Sequence, residues 1–252
     1  MVRKAAITLA VAFSAVLAAA ATINKRIKGG EDAKEGEFPF IVRLNFPGNG
    51  EILCGGSLLD STTVLTAAHC VVATEAISVR AGSLDKETGG VVAEVKSNLL
   101  HPDYNHFKRG NDIAILKLST PIEESKTISY AKLPAGGSSP VIGSTAVAAG
   151  WGLTEDRLTA DKLRKVAMSI RAPDECVNFV NRQDPEYMKY QDRKVCAGEG
   201  DKDTGSGDSG GPLIDQETGQ LIGVTSAGRF YTKVGSYIPF IISGIEPRGV
   251  TD

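Results

Sequence analysis

The 252-residue sequence is poor in cysteine, histidine and tryptophan, with four, three and one of these residues respectively. The cysteines form no close Cys-X-X-Cys pair, which argues against a zinc site. None of the asparagines begins an Asn-X-Ser/Thr sequon, so no N-linked glycan is expected. Any chemistry that requires an imidazole must depend on His69, His101 or His106.

An excess of basic residues is also missing. The formal net charge of the whole chain is −2. Residues 1–26 hold four basic and no acidic residues, which leaves 24 basic against 30 acidic residues, about −6, in the remainder. Because duplex binding requires a basic face, nucleic acid is not an expected partner.

Long apolar runs are missing except at the N-terminus, where residues 1–21 have the features of a signal peptide. Arg3 and Lys4 form the charged start, residues 5–17 the apolar run, and residues 18–21 a small-residue cleavage region. A run this short favours a cleaved signal over a membrane anchor. We therefore expect a secreted, extracellular protein without a membrane anchor, in an oxidising compartment.

The rest of the chain consists of short apolar or alternating runs separated by Gly, Pro, Asn and Asp. This pattern predicts an all-β fold, either a barrel or a sandwich, in one large or two small domains. Residues 133–143, rich in Pro, Gly and Ser, are the expected connection between two halves. Short helices are predicted near residues 173–180 and 237–245, the second with Pro239 in its first turn.

The four cysteines form an even set in a chain expected to be secreted, which indicates two disulfides. Three pairings are possible, and the sequential one is the simplest: Cys54 with Cys70 and Cys176 with Cys196.

The segment 207–212, Gly-Asp-Ser-Gly-Gly-Pro, is the most informative in the chain. Glycines around Ser209 permit a tight turn and leave its hydroxyl accessible. The N–H groups of Gly207 and Ser209 can then point at one place, as a developing oxyanion requires. A glycine-rich surface loop without chemistry would have the same composition.

A serine nucleophile needs a base and a group that orients this base. His69, which lies between Ala68 and Cys70, is the candidate base, although a buried structural histidine would fit the same context. Asp112 precedes the apolar run 113–116, where an unpaired carboxylate is costly to bury, so an imidazole N–H is a suitable partner. A turn or strand-capping aspartate is the alternative.

These segments occur in the order His, Asp, Ser, and together they resemble the trypsin/chymotrypsin family of serine proteases. The resemblance includes CGGSL at 54–58, AAGWG at 148–152 and VCAG at 195–198, and it runs from Ile27 nearly to the C-terminus. With only four cysteines, the chain resembles secreted fungal trypsins more than the disulfide-rich vertebrate enzymes.

The resemblance implies two antiparallel six-stranded β-barrels, at about residues 27–135 and 136–252, and a short C-terminal helix. It implies that Ser209 is the nucleophile, His69 the general base and later acid, and Asp112 the carboxylate that orients His69. The N–H groups of Gly207 and Ser209 would form the oxyanion hole. The sequential disulfides, Cys54–Cys70 and Cys176–Cys196, match two of the disulfides found in the family.

Residues 25–30 resemble the family's activation site. Cleavage after Arg26, at the end of a propeptide of residues 22–26, would free the α-amino group of Ile27. In the family this cation pairs with the aspartate that precedes the nucleophile, here Asp208. The resemblance thus implies an inactive precursor and a mature protease domain of residues 27–252, although Lys28 stands where valine is usual.

Specificity depends on residues around the expected S1 pocket, the pocket for the substrate side chain before the cleaved bond. Asp203, six residues before Ser209, stands where trypsins carry the carboxylate that binds Lys or Arg. Ser226 and Gly228 lie in a segment that resembles the family's strand for binding the substrate backbone. The resemblance therefore implies cleavage after Lys or Arg.

The chain departs from the family's pattern at two places in the wall of this pocket. Gly205 stands where the family usually has a cysteine, and the loop after Gly228 lacks the segment that carries the partner of that cysteine in the family. As a result, Arg229 follows the substrate-binding segment directly. It either pairs with Asp203 and weakens the preference for Lys or Arg, or it points outward and leaves a more open pocket.

The expected function is therefore a secreted serine endopeptidase that acts on proteins or peptides, as a monomer that proteinaceous inhibitors can block. No cofactor or metal is expected, because the acidic residues of 82–90 form no paired calcium-ligand set. The alternative is a homologue with altered specificity or little activity. An esterase of another fold would place its triad in the order Ser, Asp, His.

Overall fold

The computed structural model describes residues 30–46, 54–72, 77–105, 110–154, 158–177 and 190–245. Within these ranges the chain forms thirteen β-strands, two α-helices and three short 3-10 helices. The strands build two barrels, one after the other along the chain.

The first barrel closes in the order β2-β3-β4-β7-β6-β5, with every pair antiparallel. Most residues of β2, β4 and β7 are buried, because these short β-branched and leucine-rich runs face the core. Closure leaves no unpaired strand edge. Its strands are β2 (Ile41–Asn45), β3 (Cys54–Asp60), β4 (Thr63–Thr66), β5 (Ser78–Ala81), β6 (Val91–Leu100) and β7 (Ala114–Leu118).

The second barrel closes in the order β9-β10-β13-β12-β11-β8 through the β8–β9 pair. Along β9, Val166, Met168 and Ile170 are buried and alternate with more exposed residues, as a barrel wall requires. The predicted fold of two six-stranded barrels is confirmed. The strands are β8 (Thr145–Gly150), β9 (Arg164–Arg171), β10 (Lys194–Ala197), β11 (Pro212–Asp215), β12 (Leu221–Ala227) and β13 (Phe230–Lys233).

The N-terminal strand β1 (Glu31–Asp32) attaches to the second barrel, although the strands that follow it build the first. It pairs with β9 at Arg164 and Lys165. The buried guanidinium of Arg164 donates hydrogen bonds to the Asp32 carboxylate and, at 2.7 Å, to the carbonyl of Gly30. This attachment holds the chain from Gly30 onward.

The helices are short and lie at the ends of strands. They are α1 (Pro173–Val177), α2 (Ile238–Ile245) and the 3-10 helices Ala68–Cys70, Gln191–Arg193 and Val234–Tyr237. Helix α2 returns to the first barrel, where Lys117 Nζ donates to the carbonyl of Ile245 at 3.2 Å and to Thr63 Oγ1 at 2.7 Å. In the described part of the chain, no helix is long and apolar enough to cross a membrane.

Candidate active site

His69 lies on a single 3-10 turn directly after strand β4. Ala67 and Ala68 before it are fully buried, and Cys70 after it forms a disulfide with Cys54 at the start of β3. These neighbours fix the turn, while the His69 side chain keeps 30% of its surface exposed. The second disulfide joins Cys176 of α1 to Cys196 of β10.

Asp112 lies just before β7 and faces His69. One carboxylate oxygen is 2.8 Å from His69 Nδ1, and the other accepts the backbone N–H of His69 at 3.0 Å. The Ser226 hydroxyl donates to Asp112 Oδ2 at 2.6 Å. Both carboxylate oxygens thus accept hydrogen bonds, which a side chain that is only 5% exposed requires.

These contacts keep Asp112 ionised. Burial raises the pKa of the Asp112 carboxyl, but the hydrogen bonds from His69 and Ser226 lower it by more than burial raises it. The pKa therefore lies below its ordinary value. An ionised carboxylate only accepts hydrogen bonds. His69 must therefore carry its proton on Nδ1, which leaves Nε2 free to accept one from a hydroxyl.

Ser209 lies in a turn between β10 and β11 that is held against the first barrel. Gly207 and Gly210 have φ of 96° and 77°, a region that favours glycine. The carbonyl of Ser209 accepts the N–H of Gly55 at 2.7 Å. A Cβ on Gly210 would lie 2.2 Å from Thr66 Oγ1, so the turn packs directly beside the strand end that leads to His69.

The structure thus brings the elements of His69, Asp112 and Ser209 together from both barrels. Within the described residues, no hydrogen bond joins Ser209 to His69, and such bonds often tighten only with substrate bound. His101 is engaged elsewhere: its ring contacts Tyr237 and Phe240, and Nδ1 accepts the N–H of Asp103. His106 lies outside the described residues.

The N–H groups expected to form the oxyanion hole are available. Neither Gly207 nor Ser209 donates its backbone N–H within the part of the chain that the structure describes. Two bonds fix the turn around them, from Asp208 N to the Gly205 carbonyl at 3.1 Å and from Gly211 N to the Asp208 carbonyl at 2.9 Å. These two bonds lie on either side of the N–H groups of Gly207 and Ser209.

Asp208, expected to pair with a new N-terminus, is almost completely buried. Its oxygens accept the N–H groups of Gly152 and Gly205, each at 2.8 Å. Burial raises the pKa of Asp208 to about 6, against these two hydrogen bonds, which lower it. A Cβ on Gly150 would lie 2.2 Å from Asp208 Oδ1, so a side chain is excluded there. Arg26 and Ile27 lie outside the described residues.

Asp203 lies beside Gly228, the end of the segment expected to bind the substrate backbone. The Cβ position of Gly228 is 3.7 Å from Asp203 Oδ2 and in open space otherwise. Thr204 links the two chain segments, because its N–H donates to Asp203 Oδ1 at 2.8 Å and its hydroxyl to the Gly228 carbonyl at 2.7 Å.

Arg229 faces Asp203, with only 11% of its side chain exposed. Its Nε is 3.9 Å from Asp203 Oδ2, and its Nη2 donates to the Gly200 carbonyl. The stem packs over Gly198, where a Cβ would lie 2.8 Å from Arg229 Cδ. Of the two orientations considered from the sequence, the structure has the one that faces Asp203.

Sequence reasoning missed some polar contacts of Asp112. It assigned Ser226 to substrate binding, and the structure shows in addition that the Ser226 hydroxyl binds Asp112. The carbonyl of Asp112 also accepts the Thr232 hydroxyl at 2.8 Å. Both partners come from the second barrel. The need of a buried carboxylate for donors could have suggested Ser226, whereas no sequence signal indicates Thr232.

One group of possible metal ligands occurs in the described residues, formed by Cys54, His69 and Cys70. Both sulfurs belong to the same disulfide, so this group is not a metal site.

Comparisons with known proteins agree on one family. A family model described as Trypsin matches residues 27–243. Trypsin of Saccharopolyspora erythraea is 35% identical over 239 residues, which cover 89% of this chain and 100% of that protein. Vitamin K-dependent protein C of Mus musculus is 35% identical over 253 residues, which cover 90% of this chain and 54%, about half, of that protein.

A solved structure has the same fold. It is the crystal structure of the scabies mite inactivated protease paralogue S-D1, with a TM-score of 0.79 and 26% identity. The similarity covers 87% of this chain and 97% of that chain.

Proposed function

Since the chain belongs to the trypsin family of serine endopeptidases, we propose that it hydrolyses peptide bonds with Ser209 as nucleophile. His69 is the base and Asp112 holds it in place. The observation that carries this assignment is the 2.8 Å contact of His69 Nδ1 with Asp112, beside a turn that presents Ser209. Protein and peptide chains are the substrates.

The reaction follows from the proton positions. Ser209 Oγ attacks the carbonyl carbon while its proton passes to His69 Nε2, and Asp112 stabilises the imidazolium that forms. The N–H groups of Gly207 and Ser209 bind the negative oxygen. His69 then gives the proton to the departing amine, which leaves an acyl-enzyme. Water, activated by His69 in the same way, releases the acid and restores Ser209.

We propose that the enzyme cleaves after Lys or Arg. Asp203 at the base of the pocket supplies a partly buried carboxylate, 23% exposed, that attracts a cationic side chain. We assign binding of the substrate main chain to the segment from Ser226 to Gly228, which lies beside Asp203.

A second candidate is a trypsin-fold protein with altered specificity or little activity. The observation that favours it is the 3.9 Å approach of Arg229 to Asp203, because a cation already in the pocket competes with a substrate cation. The similar scabies mite paralogue is named an inactivated protease, so loss of activity occurs on this fold.

One experiment separates the candidates. Protein cut after Arg26 is treated with a fluorophosphonate and assayed on peptides with Arg, Phe or Ala before the cleaved bond. Labelling at Ser209 with fastest cleavage after Arg supports the first candidate. Labelling without a preference for Arg supports altered specificity. Absence of both labelling and hydrolysis supports a protein with little activity and would overturn the assignment of Ser209 as a working nucleophile.

Arg229→Gly is expected to raise kcat/KM for the Arg peptide about 10-fold, because it removes a positive charge close to Asp203. The Phe and Ala peptides report whether the change is specific to charge. Arg229→Lys, which keeps a cation, serves as the matched control and is expected to change the Arg preference less. An equal or lower kcat/KM of Arg229→Gly for the Arg peptide would contradict competition by Arg229.

We further propose that the chain is made as a secreted precursor. Residues 1–21 are removed as a signal peptide, residues 22–26 form the propeptide, and cleavage after Arg26 gives the protease domain 27–252. The new ammonium group of Ile27 then pairs with Asp208 and orders the oxyanion turn. N-terminal sequencing of protein from the culture medium is expected to find Thr22 before activation and Ile27 after it.

This proposal predicts a pH dependence of the precursor's stability. The folded pKa of Asp208, about 6, exceeds its ordinary value of 3.8, so the folded chain binds this proton more tightly than the unfolded chain. Stability is therefore highest below about pH 4 for this group and falls as the pH rises through about 6. Between pH 5 and 7 the loss is about 1 kcal/mol.

The measurement is the free energy of unfolding in urea at pH 5 and 7, with cleavage blocked by Arg26→Gln. Asp208→Asn in the same background is the control and should lack this contribution. After cleavage of the parent chain, the ammonium group should stabilise ionised Asp208 and remove the loss. Identical pH profiles of the precursor and its Asp208→Asn variant would refute the assignment.

We propose that the domain acts as a monomer, with the barrels at about 27–135 and 136–252, and that proteinaceous inhibitors can occupy the cleft. Light scattering of the cut enzyme tests the first point, and a dimer would contradict it.

A further inference from the structure

Asn111, the residue before Asp112, has an unusual backbone conformation. Its φ is 51°, and it is the only non-glycine residue with a positive φ among the residues that the structure describes. It is 4% exposed. Such a conformation is uncommon outside glycine and persists only where the surroundings impose it.

The side chain of Asn111 is held by three hydrogen bonds. Its Oδ1 accepts from Arg193 Nη1 and from the Tyr237 hydroxyl, each at 2.9 Å, and its Nδ2 donates to the Asp103 carbonyl at 3.2 Å. Arg193 and Tyr237 lie on 3-10 helices that flank the second barrel, whereas Asp103 lies between β6 and β7 of the first. The amide is therefore clamped between segments that are distant in sequence.

The backbone of Asn111 sets the direction of Asp112. The carbonyl of Asn111 accepts the N–H of Ile113 at 2.9 Å, which closes a three-residue turn with Asp112 at its centre. The Asp112 carbonyl in turn accepts the Thr232 hydroxyl. With both peptide groups fixed, the Asp112 side chain leaves the backbone toward His69.

We propose that Asn111 is a positioning residue, which holds Asp112 in line with His69 Nδ1, and that Arg193 and Tyr237 act through it. The inference rests on the triad of the proposed function. Asn111 touches no reacting atom, so its loss should lower the rate of the chemical step and leave substrate binding alone.

The test compares four variants after active-site titration, which corrects for any unfolded protein. Asn111→Ala is expected to lower kcat about 30-fold with KM within about twofold. Asn111→Gly accepts the positive φ without strain but lacks the clamp, so it should lose as much. Tyr237→Phe and Arg193→Met each remove one donor and should lose about threefold to tenfold.

Two further variants distinguish positioning from stability. Asn111→Asp keeps the acceptor oxygens for Arg193 and Tyr237 and should recover kcat to within about fivefold of the parent. Thr63→Val removes a buried hydroxyl that binds Lys117, at the opposite end of β7 from Asp112. It should lower the free energy of unfolding and leave kcat unchanged.

A spectroscopic readout completes the test. The low-field NMR signal of the proton between His69 Nδ1 and Asp112 should be lost or shifted in Asn111→Ala and retained in Thr63→Val. A parental kcat in Asn111→Ala would overturn the proposal. A parental kcat in Asn111→Gly would overturn it as well, because it would show that only the positive φ matters and not the hydrogen bonds of the Asn111 side chain. If the parent enzyme hydrolyses nothing, the proposed function fails, and the NMR comparison still decides whether Asn111 positions Asp112.

Discussion

Replacement of Ser209 by alanine is expected to lower kcat/KM for a peptide substrate by about 10⁶-fold. The change removes the only atom that forms the covalent bond to the substrate, whereas the turn is held by backbone bonds that alanine retains. Those bonds include the contact of the Ser209 carbonyl with Gly55 N and the contact of Asp208 N with Gly205. Fold and substrate binding should therefore survive.

The measurement combines peptide hydrolysis with fluorophosphonate labelling, both of which should disappear. Ser206→Ala is the matched control, because Ser206 is exposed in the same loop and contributes its carbonyl to Leu153 N. It should keep both labelling and hydrolysis. Residual hydrolysis in Ser209→Ala within 100-fold of the parent, free of contaminating protease, would show that another residue is the nucleophile.

Asp112→Asn is expected to lower kcat by about 10⁴-fold with little change in KM. The variant keeps the shape of the carboxylate but places an NH₂ group near His69. If this group faces His69 Nδ1, Nδ1 must accept a hydrogen bond, the proton moves to Nε2, and Nε2 can no longer take the proton of Ser209. The depressed pKa of Asp112 ensures that the parent is ionised at neutral pH.

The matched control is Asp60→Asn. Asp60 also accepts a backbone N–H through one oxygen, from Thr62 at 2.8 Å, but it lies at the end of β3 and has no contact with His69. It should retain the parental kcat. A loss below 10-fold in Asp112→Asn would mean that Asp112 does not set the tautomer of His69.

The candidate triad residues could be proposed from the sequence because each lies in a recognisable local motif. Ser209 requires glycines within two residues of it, and His69 requires small neighbours and Cys70, so each leaves a short motif. The two barrels followed from the family that these motifs resemble. Composition and turn spacing alone left both a barrel and a sandwich open.

Contacts between distant segments could not be predicted. The Ser226 hydroxyl reaches Asp112 across 114 positions, and Arg193 reaches Asn111 across 82. No local pattern encodes such pairs, because each depends on how the two barrels pack. The orientation of the Arg229 side chain could not be predicted either. The sequence allowed it to face Asp203 or to point outward, and only the folded structure shows that it passes Gly198 and faces Asp203.

The pairing of β1 with β9 also limits how far a new chain end at Ile27 can travel. Arg164 holds Gly30 and Asp32, so two residues, Lys28 and Gly29, separate Ile27 from the fixed part of the chain. The three residue steps from Ile27 to Gly30 span at most about 10 Å, so an amino group freed by the proposed cleavage stays within a small volume around Gly30. In such a volume its local concentration is millimolar or higher, independent of the amount of enzyme. Under the proposed cleavage after Arg26, pairing of the freed amino group with Asp208 would thus be an intramolecular, first-order step.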